Sequence, residues 1–272
     1  MNRASIPPRA DSFKNIKPLF GKPVDFLAQV KKAVELRLAT EPSPPARSLP
    51  LVDFSKALGE FGIIAEYKRA SPRGVVRLDM PPWAYFAMLQ PYAAAFSVLT
   101  EPYWFLGDYR FITMAKPFKP VLMKDFVIDN RQIDMAYGYG ADAVLIIYRL
   151  VGREKAMELA EYAQRLGLTP VVEVDNLQDA KEAATWGGKV MLGINARDLA
   201  TLEVSLQKAF EIAKALRGDV DFIIESGISK PEEVEKACML YARGVLVGTA
   251  LMKNPALIKE LRHAAESCVS RR

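Results

Sequence analysis

Ile63-Ile64-Ala65-Glu66-Tyr67-Lys68 sets the pattern for the chain: a short apolar run that closes on charged residues. Seven similar runs follow, Phe96–Leu99, Pro120–Met123, Ala143–Ile147, Val171–Val174, Val190–Ile194, Phe222–Ile224 and Gly244–Val247. Each gives way to a polar turn and then to a helix-like stretch, such as Arg153–Leu166, Asn176–Trp186 or Lys230–Leu240. Apolar strands alternating with helices indicate a parallel sheet buried on both faces. Eight such units, spaced by roughly 20 to 35 residues, favour closure into a barrel over an open, doubly wound sheet. No GxGxxG follows the first run, so a dinucleotide fold lacks its fingerprint. The expected fold is α/β, a single (β/α)8 TIM barrel over residues 61–268 with an N-terminal helical extension over residues 1–60.

The extension has a different rhythm. Leu27, Val30, Val34 and Leu38 recur at helical spacing among Lys31, Lys32, Glu35 and Arg37, which describes an amphipathic helix. Glu41-Pro42-Ser43-Pro44-Pro45 then stops it and stiffens the connection. We expect this region to pack on the barrel; a mobile arm is the alternative.

Composition narrows the function. Of 272 residues, 50% are hydrophobic and 25% charged, enough for one large core. Apolar runs such as Tyr92–Leu99 fall far short of the ~18 residues that cross a bilayer, and Met1–Phe20 has no signal-peptide character. A cytoplasmic protein without membrane contact is expected. The formal net charge of +5 is spread along the chain, which suits an anionic small molecule better than nucleic acid. Protein partners are not indicated. Cys238 and Cys268 stand alone in the sequence without metal-ligand spacing, so neither a disulfide scaffold nor a zinc site is expected. The single histidine, His263, reads as a solvated helix residue. Proton transfer therefore falls to lysines and carboxylates.

Those residues gather at the strand ends. Glu66 and Lys68 follow the first run, Lys124 and Asp125 the third, and Glu173 the fifth. Asn195 and Arg197 follow the sixth, and Glu225 and Ser226 the seventh. In a barrel these ends converge on one mouth, where active sites are built. Glu66 and Lys68 are two residues apart and share a face of their strand. A plain buried ion pair would account for one such couple, but not for charges at five strand ends. Glu225-Ser226-Gly227-Ile228-Ser229 and Gly248-Thr249-Ala250-Leu251-Met252 follow the seventh and eighth runs. Glycine admits close backbone approach, and barrels often hold a phosphate between these two loops.

With these residues in place the chain resembles the indole-3-glycerol-phosphate synthases. The resemblance runs through Ile64–Pro72, Leu99-Thr100-Glu101, Phe105-x-Gly107, Leu122–Phe126 and Gln132-Ile133. It continues through Gly193-Ile194-Asn195-x-Arg197-Asp198-Leu199, Glu225–Ser229 and Val247–Met252. It implies conversion of a carboxyphenylamino-deoxyribulose phosphate to indole-3-glycerol phosphate in tryptophan biosynthesis, with loss of carbon dioxide and water and without cofactor or metal. It implies a catalytic set of Glu66, Lys68, Lys124, Glu173, Asn195 and Ser226. Lys124 would be the general acid at the substrate carbonyl, and Glu173 would stabilise the iminium-like intermediate and move a proton. Lys68 would hold the anthranilate carboxylate or protonate the departing hydroxyl, with Glu66 orienting a lysine. Asn195, Arg197, Glu225 and Ser226 would shape the pocket, Phe105 and Phe126 would pack on the anthranilate ring, and Ser71, Gly227, Gly248 and Thr249 would bind the phosphate. Two positions depart from the family pattern. Arg73 stands where a small hydroxyl residue is common and would either add a phosphate contact or face solvent, of which solvent is expected; Thr249 stands for a frequent serine and keeps its hydroxyl. A proton donor brought near neutrality by burial would contribute about 10²–10⁴-fold to the rate.

Overall fold

The structure is a computed structural model that describes residues 26–186, 190–198, 201–216, 218 and 220–272. Met1–Phe20 and Leu199, used in the sequence reading, lie outside the described residues. Eight parallel strands form a closed barrel: β1 Gly62–Tyr67, β2 Ala95–Leu99, β3 Val121–Lys124, β4 Ala143–Ile147, β5 Thr169–Val174, β6 Met191–Asn195, β7 Phe222–Glu225 and β8 Gly244–Val247. Each apolar run read from the sequence falls within a residue of one of these strands. Neighbours pair in chain order, and β1 closes the ring against β8, with Gly62 opposite Gly244 and Ala65 opposite Val247.

Strand parity divides the apolar residues between two cores. Ile63, Ala65 and Tyr67 belong to the outer layer between sheet and helices, whereas Ile64 belongs to the barrel interior. The interior continues with Ala95, Leu122, Leu145, Val171, Met191, Ile223 and Leu246, at least one residue from each strand. Side chains two residues further along each strand point the same way. That direction carries Glu66, Lys124, Glu173, Asn195, Glu225 and Gly248 to the C-terminal mouth.

The extension contacts both ends of this interior. Helix α1 (Phe26–Leu38) buries Leu27, Val30, Val34 and Leu38 as its spacing predicts, against the loops that follow β3 and β4. Its Arg37 reaches Asp125 at 3.0 Å. The connector then descends beside helix α5 (Asn130–Tyr139). Arg47 anchors it by donating to the carbonyls of Tyr137 at 2.9 Å and Ala141 at 2.7 Å. At the base, α2 (Phe54–Ala57), capped by the Asp53 side chain, inserts Phe54 beneath Ile64 and Ala95.

One expectation is overturned. Cys238 lies on α10 (Pro231–Met239) and Cys268 on the last helix, α12 (Leu257–Arg271); the two form a disulfide with Cα atoms 6.4 Å apart. Linear spacing could not reveal the pairing, because it arises where α12 lays Ile258, Leu261, Ala265 and Cys268 against the barrel beside α10. His263 lies on the opposite, exposed face. The bridge spans 30 residues, for which loop-closure entropy gives about 3–4 kcal/mol. Thermal melts with and without excess reductant should differ by about 5–10 °C, lower when reduced, and Cys268→Ala should reproduce the lower value. Identical melts would show that the bridge contributes nothing.

Candidate active site

The mouth opens into a cavity of about 580 Å³, and each of the fourteen residues expected at the site lines it except Glu225, which sits just beneath the cavity wall. Lys124, at the end of β3, projects between β5 and β7. Its Nζ lies 3.2 Å from Glu173 Oε2 and also donates to Glu225 Oε2. Lys68 pairs with Glu66 at 2.6 Å. Three buried carboxylates therefore face two largely buried ammonium groups, and the imbalance shows in their acidities. Burial and the neighbouring Glu173 push the Glu225 carboxyl up to about 7, against the pull of Lys124. Burial alone would lower Lys124, but Glu225, Glu173 and Glu66 outweigh it and hold the ammonium above its usual range. Lys68 and then Lys124 hold Glu66 below the ordinary carboxylate value despite its burial. The group that burial and its neighbours bring near neutrality is Glu225.

Two acceptors in this cluster are unanswered. Among the described residues no donor reaches Glu173 Oε1 or Glu225 Oε1, although both are buried. A buried carboxylate oxygen left without a donor is costly, so Glu173, which lines the cavity, marks a place where a ligand's N–H or O–H gains most. Two glycines make room for the cluster. A Cβ on Gly193 would sit 2.3 Å from Glu225 Oε1, and one on Gly248 would sit 2.1 Å from Glu66 Oε1 and 2.9 Å from Lys68 Nζ.

The two ends of the cavity differ chemically. Ser71, Gly227, Ser229, Gly248 and Thr249 line one end, where Ser226 and Gly227 take φ of +67° and +83° to turn the chain. At the other end the rings of Phe105 and Phe126 lie 6.0 Å apart, tilted, and form an aromatic wall. Phe26 from α1 and Trp104 extend this wall, edge to face at 5.6 Å, and neither is a residue the sequence reading singled out. For Phe26 the signal was faint: one aromatic residue beside a generic amphipathic run. Asn195 is buried, and its side-chain oxygen accepts from the Arg197 backbone N–H at 2.9 Å.

Two further acids support the wall. Glu101 accepts from the backbone N–H groups of Tyr103, Trp104 and Phe105 at 2.8, 2.7 and 3.2 Å, fixing the aromatic loop. Asp125 accepts from Thr100 Oγ1 at 2.5 Å as well as from Arg37, so the extension is tied to the residue beside Lys124. Both acids stand in quoted fragments, but their roles require the loop geometry. Arg73 was expected to face solvent. The residue is exposed, and its guanidinium donates across the mouth to the carbonyl of Leu202.

A family model described as indole-3-glycerol phosphate synthase matches residues 22–264. The chain belongs to the indole-3-glycerol phosphate synthase family. Its activity is that of the family, a carboxy-lyase step of tryptophan biosynthesis. It is 80% identical over 249 residues to the indole-3-glycerol phosphate synthase of Pyrobaculum aerophilum, covering 92% of this chain and 100% of the relative. That of Aeropyrum pernix is 37% identical, covering 81% and 86%. Among solved structures, 3-hexulose-6-phosphate synthase from Salmonella typhimurium superposes with a TM-score of 0.61 at 17% identity, covering 76% of this chain and 100% of that one. A tryptophan synthase α-subunit from Pyrococcus furiosus gives 0.55 at 14%, covering 77% and 98%. These two likenesses show the barrel fold.

For this synthase, Gly248→Ala tests the packing of the charge cluster. The added methyl must displace the Glu66–Lys68 pair, and kcat/KM should fall by about a hundredfold while the fold is retained. Unchanged turnover would mean the pair tolerates displacement and has no demanding position to keep.

Proposed function

We propose that Lys124, Glu173 and Lys68 carry the proton transfers of indole-3-glycerol phosphate synthesis. The observation that supports this most directly is the ammonium of Lys124 held between two carboxylates, in a cavity lined by aromatic residues and by the loops of Ser71, Gly227 and Gly248. The substrate has the same polarity, with an anthranilate ring at one end and a phosphate at the other.

In the first step the ring carbon that bears the carboxylate bonds to the ribulose carbonyl carbon. The amine nitrogen supplies the electron pair through the ring and becomes iminium-like. Lys124 gives a proton to the carbonyl oxygen, which becomes a hydroxyl. Glu173 faces the cation with its unanswered oxygen and stabilises it. The carbon–carboxylate bond then breaks, carbon dioxide leaves, and its electron pair restores the aromatic ring. In the last step the hydroxyl departs as water with a proton from Lys68. Glu173 takes a proton from the neighbouring methylene carbon, and the indole double bond forms. Glu66 holds Lys68 by its ion pair, and Asn195 and Ser226 stand beside the reacting centre as further members of the catalytic set. Ser71, Gly227, Gly248 and Thr249 hold the phosphate, while Phe105 and Phe126 hold the ring. Arg197 and Glu225 complete the pocket.

Lys124 is poorly suited to the alternative role of Schiff-base nucleophile, because its carboxylate neighbours keep it protonated. We assign catalysis to a barrel over residues 61–268 and treat residues 1–60 as its accessory extension, of which residues 1–25 lie outside the described structure. We place the enzyme in the cytoplasm, acting on an anionic phosphorylated small molecule without a cofactor. No helix among the described residues is long and apolar enough to cross a membrane.

Lys124→Met should lower kcat by about 10²–10⁴-fold while substrate still binds; near-normal turnover would remove Lys124 as the acid. The acidity of Glu225 gives the pH dependence a sign. As pH rises through about 7, its ionisation adds negative charge beside an anionic substrate and tightens the proton on Lys124. Both effects lower kcat/KM, so the profile should fall above that pH. Glu225→Gln should abolish this limb, and a limb that persists in the variant belongs to another group.

A further inference from the structure

We infer that Arg73 is a further substrate-binding residue, forming with Arg197 a pair of guanidinium groups that grips the substrate phosphate, a role that rests on the phosphate end assigned above. Arg73 occupies the tip of a small hairpin after β1, in which Ala70 pairs with Val75 and Ser71 with Gly74. The tip is set by its own hydrogen bonds: the Arg73 backbone N–H donates to Ser71 Oγ at 3.3 Å, and Gly74 adopts a φ of +116°. From there the Arg73 side chain extends across the mouth to the carbonyl oxygen of Leu202, in the loop after β6. Arg197 donates to the same oxygen at 3.1 Å.

Two cations thus share one neutral acceptor. No carboxylate lies within ion-pair distance of either guanidinium among the described residues, whereas buried Arg37 and half-buried Arg47 and Arg77 each have one. The crowding is felt at Arg197, whose acidity rises first through burial and then through the charge of Arg73, against a partial offset from Glu66 and Glu173. Each guanidinium spends one N–H on Leu202 and keeps its other donors. Both side chains line the same cavity as Ser71, Gly227 and Thr249, and exposed Lys253 adds a third cation to that end. An array of this kind is repelled from itself and attracted to a dianion. A phosphate bridging Arg73 and Arg197 would cancel their mutual repulsion and accept charge-assisted hydrogen bonds from both. The substrate phosphate is the dianion this reaction brings.

The contact with Leu202 also admits a purely mechanical role, a strap between two loops, and the test must separate the two. Arg73→Met keeps the length of the stem and removes the charge, at an exposed position where a melt should show the fold unchanged. Binding of indole-3-glycerol phosphate and of phosphate-free indole-3-glycerol would be titrated for the native protein, Arg73→Met and Arg73→Lys at low ionic strength. Arg73→Met should weaken the phosphorylated ligand by about ten- to a hundredfold and leave the phosphate-free ligand unaffected, with Arg73→Lys between. Equal weakening of both ligands would make Arg73 a strap, and no weakening of either would make it a solvated side chain; each overturns the inference alone. If the native protein bound the two ligands equally well, the phosphate end itself would be wrongly assigned, and the inference would fall with it.

Discussion

The ammonium of Lys124 between Glu173 and Glu225 is the contact around which the rest of the site is arranged. Three strands of a closed barrel supply the three groups, so none can move without distorting a hydrogen-bonded ring. That rigidity matters because the charges are buried. Removing one partner from a buried ion pair typically costs about 3–5 kcal/mol, mainly because the other charge is stranded. Here the count of carboxylates exceeds that of ammonium groups, and the excess is absorbed by one acid, Glu225, keeping its proton to about 7. The cup is therefore near electrical balance before substrate arrives, and two oxygens within it still lack donors.

Much of this could be read from the chain because barrel geometry converts position into direction. A residue two places beyond an inward apolar residue points into the mouth, so Ile64 announces Glu66, Leu122 announces Lys124, and Ile223 announces Glu225. Eight short apolar runs were enough to indicate the ring, and the polar residues that close them were enough to indicate the cup. The family resemblance supplied the identity of the chemistry, which periodicity alone cannot do.

What could not be read depends on contacts between segments far apart in sequence. Cys238 and Cys268 look unrelated until two helices lie side by side. Phe26 looks like one more apolar residue until α1 is placed against the loops after β3 and β4. Arg73 has no partner in the linear sequence; its acceptor is a backbone carbonyl more than a hundred residues away, and a backbone atom leaves no side-chain signature. Acidity at the strand ends is equally hidden, because burial and neighbours act in opposite directions and only distances decide which prevails.

The extension is fastened at both ends of the barrel: Phe26 forms part of the aromatic wall at the mouth, and Phe54 closes the floor, with Arg47 clamping the stretch between. A segment built this way makes the two ends thermodynamic partners. Ligand held against Phe26 favours the docked extension, and the docked extension keeps water from the floor some strand-lengths below. Amide hydrogens at the base of the barrel should therefore exchange more slowly when the mouth is occupied, although no ligand atom comes near them.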